Sequence, residues 1–98
     1  MSQLIEIFLP SNVDDAQRKI EQLEKELVER FGGVTLYVNS PARGLWDAGA
    51  RVEDDTIVVA EVMVEELDRE WWVGYRAALE LSFDQDEILI RATQVCRL

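Results

Sequence analysis

The stretch from Val13 to Phe31 constrains the fold of this chain more tightly than any other. Val13, Ala16, Ile20, Leu23, Leu27, Val28 and Phe31 recur at three- and four-residue steps and form one apolar stripe. On the other side, Asp14–Arg18, Asp15–Lys19, Glu21–Lys25 and Glu26–Arg30 are spaced i,i+4 with the acid first, the favourable order on a helix. Ser11 or Asn12 is placed to cap the start, and Asp14 and Asp15 suit the positive end of the helix dipole. Gly32 and Gly33 follow, where a left-handed cap is expected. The spacing predicts an amphipathic helix over 13–31, and its stripe must be laid on something.

Strand-like segments supply that surface. Gln3 to Leu9 places Ile5, Ile7 and Leu9 on one side and Leu4, Glu6 and Phe8 on the other, and Pro10 ends it. Val34 to Asn39 alternates in the same way, with Thr35 and Tyr37 sharing a side. Thr56 to Val64 is almost entirely β-favouring and reads as a central strand. Glu87 to Thr93 sets Ile88, Ile90 and Ala92 against Leu89 and Arg91, with Val95 as an extension. Between the second and third strands, Ser40 to Glu53 carries Pro41, Gly44 and Gly49 without periodicity. It is expected to be a long loop, with Asp54-Asp55 turning the chain back.

A second helix begins after the acids Glu65, Glu66 and Asp68 and runs to about Phe83. Its stripe is Leu67, Trp71, Trp72, Tyr75, Leu79 and Phe83. Adjacent tryptophans lie about 100° apart on a helix, so one of them must border a cleft or an interface. Asp84-Gln85-Asp86 is a short turn. The order is therefore βαββαβ. It predicts an α+β, ferredoxin-like sandwich: one antiparallel sheet, strand order 4-1-3-2, both helices on one face. The rival is an open α+β sheet with another strand order.

Composition narrows function mainly by exclusion. Ninety-eight residues make one domain, and no segment approaches the ~18 apolar residues that span a bilayer. Twenty acids against ten bases give a net charge of −10, which disfavours nucleic acid and anionic membrane surfaces as partners. There is no histidine, which removes serine–histidine and cysteine–histidine nucleophiles and HExxH metal sites. A single cysteine, Cys96, excludes an internal disulfide and a cysteine-only metal site. The N-terminus lacks the basic region and apolar stretch of a signal peptide, so a cytoplasmic protein is expected. No cofactor motif or metal-ligand spacing is present, and the balance leans away from catalysis.

Two regions are candidates for a ligand or interface. One is Arg43, Gly44 and Trp46 in the long loop, at the sheet end where the connections after Pro10 and around Asp84–Asp86 also lie. Trp46 is read as a plug at the end of the core in preference to a ligand contact. The other is the sheet face turned away from the helices, where Glu6, Tyr37, Glu61 and Arg91 sit on an otherwise apolar surface. Glu6 and Glu61, as neighbours on central strands, would share a half-buried site in which one carboxyl holds its proton more tightly. Arg91 offers the preferred alternative, a structural ion-pair network across a dimer interface. Phe31-Gly32-Gly33 follows a helix and so caps it; phosphate-cradling glycines precede one.

Arg30-Phe31-Gly32-Gly33-Val34-Thr35, then Gly44-x-Trp46, Tyr75-Arg76 and Phe83-x-Gln85-x-x-Ile88, resemble a small bacterial family of uncharacterised function with a predicted ferredoxin-like fold. A wider family with an aromatic-Pro-x-Gly-x-Thr segment is also similar, although Gly32 stands here in place of its proline. The resemblance implies the fold and no activity. The leading expectation is a non-catalytic, acidic domain that self-associates, as a homodimer, through its sheet face or an edge strand. The alternatives are a small-molecule binder or enzyme of the dimeric α+β-barrel kind, using the face carboxylates, and a protein-recognition module using the Arg43–Trp46 loop.

Overall fold

In a computed structural model, the chain forms β1 (Ser2–Pro10), α1 (Ala16–Phe31), β2 (Thr35–Tyr37), β3 (Arg43–Asp47), β4 (Val52–Val64), α2 (Arg69–Ser82) and β5 (Ile90–Val95). The structure describes residues 1–38, 43–47 and 52–98; for 43–47 and 52–56 the description is of the backbone alone. The sheet order is β2-β4-β1-β5, all antiparallel, with β3 added along β4. This is the ferredoxin-like sandwich, with the two most apolar strands, β1 and β4, at its centre.

Register follows from the hydrophobic pattern. Ile5, Ile7 and Leu9 pair with Val62, Ala60 and Val58, and all six are buried. A one-residue slip would turn the whole set to the other face. Ile20, Leu23 and Leu27 of α1 and Trp72, Leu79 and Phe83 on and after α2 complete the core, with Ile88 just before β5. Both helices therefore cover one side of the sheet and leave the other open.

Several boundaries differ from the sequence expectation. Helix α1 starts at Ala16 instead of Val13, and Asp15, at φ 58°, occupies the cap position without a side-chain capping bond. Ser11 and Asn12 thus precede the helix by several residues, and Arg18 meets Asp15 at 3.5 Å, one residue closer than the i,i+4 pattern. At the other end the glycine cap forms as expected: Gly32 has φ 86° and its N–H donates to the Val28 carbonyl at 2.8 Å.

Within the expected loop over Ser40–Glu53, the described residues are strand. Arg43–Asp47 pairs with Val52–Thr56, and Asp54 and Asp55, expected as a turn, lie opposite Leu45 and Gly44. Here β4 continues past Pro10, the last residue of β1, whose partner is Ile57. Thirteen residues at about 3.3 Å each span about 43 Å, which matches the 43 Å long axis of the molecule. Residues 48–51, and 39–42 with Asn39 of the second predicted strand among them, lie outside the described residues.

Helix α2 ends in a Schellman motif that its sequence does not advertise. Asp84 takes the left-handed conformation (φ 52°), its N–H donates to Leu81 at 3.3 Å, and the Gln85 N–H donates to Glu80 at 2.9 Å. The Glu80 carboxylate then accepts from the Ile88 N–H at 2.9 Å, which steers the chain into β5. β5 itself starts three residues later than expected, at Ile90, and runs to Val95.

Candidate functional site

The open face is read most easily along one row. Arg91 of β5 lies opposite Glu6 of β1, Glu6 opposite Glu61 of β4, and Glu61 opposite Thr35 of β2. The alternation that buries Ile5, Ile7, Ala60 and Val62 forces Glu6 and Glu61 outward together. Two carboxylates side by side on neighbouring strands repel one another. Each is taken up by a different group.

Arg91 Nε lies 2.9 Å from Glu6 Oε1. The guanidinium also sits over the Phe8 ring, 4.9 Å from its centroid, so the cation is held by an anion on one side and an aromatic face on the other. Glu6 is the more enclosed partner, at 18% side-chain exposure against 55% for Arg91. Across the row, the Tyr37 hydroxyl donates to Glu61 Oε1 at 3.0 Å. That hydrogen bond and the Glu61 charge raise the Tyr37 pKa above its ordinary value, with burial and Glu6 adding further increments.

Around these four groups the face is largely apolar, with Thr35 and Thr93 as its further polar positions. Leu4 pairs with Met63 and Phe8 with Val59, which in turn pairs with Tyr37. Val59 is only 9% exposed although it points away from the helices, because the aromatic side chains on either side shelter it. Met63 stands out at 44% exposure. The structure thus brings Glu6, Tyr37, Glu61 and Arg91 together as the sequence pattern requires. The pairing of Phe8 with Arg91 went unforeseen; a cation two positions along on the neighbouring strand was its only signal.

Arg43, Gly44 and Trp46 fare differently. They belong to a strand, not a loop, with Arg43 opposite Thr56, Gly44 opposite Asp55 and Trp46 opposite Glu53. The side chains of Arg43 and Trp46, and with them the choice between core plug and contact, lie outside the described residues. The convergence of three loops at that sheet end is corrected accordingly: β1 exits and β5 enters there, but the third element is paired strand. Gly44 in a ladder lowers local strand preference, which is why the pattern reads as loop.

The aromatic residues of α2 divide as the 100° argument requires. Trp72 is buried, stacked on Phe31 at 5.2 Å, while Trp71 is half-buried and carries the Arg30 guanidinium at 4.3 Å. Tyr75 stacks on Trp71 at 4.8 Å, and its hydroxyl is enclosed without a hydrogen-bond partner among the described residues. Burial, reinforced by the charge of Glu26, pushes the Tyr75 pKa far up. Among the described residues no three His, Cys, Asp or Glu side chains gather as a metal site, and no helix is long and apolar enough to cross a membrane.

No family model matches the chain, and no curated protein sequence does. Among solved structures, a divalent cation tolerance protein (Cut A1) from Thermus thermophilus has a similar fold, with a TM-score of 0.68 over 99% of this chain and 86% of that one. Sequence identity is 14%, so the likeness extends to the fold alone.

Proposed function

We propose that this chain is a non-catalytic α+β domain that self-associates, as a homodimer, through the open face of its sheet. The observation that carries the reading is the composition of that face: Leu4, Phe8, Val59 and Met63 surround one row of charges that is largely paired within itself. A face of this kind is too apolar to be left in water and too internally satisfied to favour a charged ligand.

A second copy fits it by symmetry. A two-fold axis parallel to the strands, running between β1 and β4, superposes each β1 on the other copy's β4. Glu6 of one protomer then faces the other protomer's Glu61, with Arg91 alongside as the shared cation. Sheets packed this way keep their strands within about 30° of one another.

The size of the face sets the strength. Four strands about 4.8 Å apart and about 20 Å long present roughly 400 Å² of sheet per protomer. That is below the ~800 Å² per partner of a standard interface, so the dimer is expected to be a concentration-dependent one. Sedimentation velocity across a dilution series tests it: the mass falls from dimer to monomer on dilution if the reading holds, and stays monomeric at every concentration if it does not.

A further inference from the structure

On the opposite side of the sheet, α2 and β5 border a groove of about 160 Å³. Its floor is Ile5, Leu67, Trp72 and Ile90, and Ala92 remains exposed although it shares the helix-side register of Ile90. The helix therefore does not cover the C-terminal half of β5. An apolar cavity of about 150 Å³ is large enough to hold benzene, so the space suits one ring or a short branched chain.

Three arginines line this groove, Arg69, Arg76 and Arg91, and no acid does. Two of them, Arg69 and Arg76, offer their side chains to it, although the acids Glu65, Glu66, Asp68 and Glu70 flank Arg69 in sequence. Arg91 directs its guanidinium to Glu6 on the open face. Because side chains alternate across a strand, it borders the groove through the β5 backbone. Arg76 meets Glu80 at 3.9 Å, a loose pair at 47% and 23% exposure. Arg69 has no ion-pair or hydrogen-bond partner among the described residues.

Arg69 is also the first residue of α2. A cation there opposes the helix dipole, so helix stability does not explain it. Arg76 stands seven positions further on, two turns or about 10 Å along the axis, on the same side of the helix. We infer that the α2–β5 groove binds a small aromatic or short-chain carboxylate, its apolar body over Trp72 and Leu67 and its carboxylate paired with Arg69. A carboxylate presents two oxygens to the guanidinium fork; the start of α2 itself is already capped by the Asp68 carboxylate, which accepts from the Trp71 N–H at 3.1 Å, so the attraction rests on Arg69.

Benzoate is the probe, titrated into the ¹⁵N-labelled protein and followed by amide and indole shifts, with benzyl alcohol and benzylamine as neutral and cationic controls. The expected result is saturable shifts at Val73, Ile90, Ala92 and the Trp72 indole, with benzyl alcohol binding at least tenfold more weakly and benzylamine not at all. Arg69→Gln, an exposed substitution that leaves the rest of the spectrum in place, weakens benzoate at least tenfold and leaves benzyl alcohol unchanged. Benzoate binding no tighter than benzyl alcohol, unaffected by Arg69→Gln, or mapping elsewhere on the molecule overturns the inference. The groove and the open face lie on opposite sides of the sheet, so this result is independent of self-association.

Discussion

Glu6 and Glu61 stand directly opposite one another on the two central strands, and each is held by its own partner. Arg91 reaches Glu6 at 2.9 Å and Tyr37 reaches Glu61 at 3.0 Å. The arrangement turns a repulsive cross-strand pair into a short network that an apolar face can carry.

Removing the cation should expose that repulsion. Arg91→Leu is expected to lower stability by about 0.5–1 kcal/mol, the range for an exposed pair plus an unfavourable cross-strand contact. Adding Glu61→Gln to the same chain should recover most of the loss, since Gln still accepts from Tyr37. Urea unfolding of the two single variants and the double variant measures the coupling.

Tyr75 makes the pH dependence of stability testable. Its folded pKa lies above the ordinary value of 10.0. Its contribution is therefore complete below pH 10 and is lost as pH rises further, where the unfolded chain sheds the proton that the folded chain keeps. Tyr75→Phe should flatten this alkaline decline. At pH 7 it should change stability by less than about 1 kcal/mol, because the hydroxyl it deletes is enclosed with no hydrogen bond at ordinary distance and only the Glu26 carboxylate near it. Thermal melts between pH 7 and pH 11 check both.

The two helix ends call for opposite substitutions. Gly32 has φ 86° and open space where a Cβ would stand, so Gly32→Ala should cost about 1 kcal/mol from backbone conformation alone. Asp84 takes the same left-handed conformation with a side chain, so Asp84→Gly should stabilise by about 0.5–1 kcal/mol. Equal effects of the two changes would contradict this account of the caps.

The parts of the fold that were legible in the sequence are those fixed by burial. The alternation of Ile5, Ile7 and Leu9, the α1 stripe and the density of β-branched residues after Thr56 each admit one arrangement, and together they place Glu6, Glu61 and Arg91 in one row. Strand β3 was not legible, because Gly44 and the acids Asp54 and Asp55 dilute both period and propensity in a ladder that lies past the end of β1. The Schellman turn was hidden because aspartate stands where glycine signals the motif. Arg69 and Arg76 share a helix face in any helical reading, but whether that face borders a groove depends on how far α2 covers β5. No local pattern encodes that.

Self-association through the open face is tested most directly by sedimentation velocity on Met63→Glu beside Leu81→Glu. Met63 lies on that face at 44% exposure, while Leu81, at 85%, is on the exposed side of α2. Both positions are accessible in the single chain, so neither change burdens folding. The account predicts that Met63→Glu is monomeric at concentrations where the parent and Leu81→Glu are dimers. A parent chain that is monomeric throughout, or a dimer that Met63→Glu leaves intact, would contradict it.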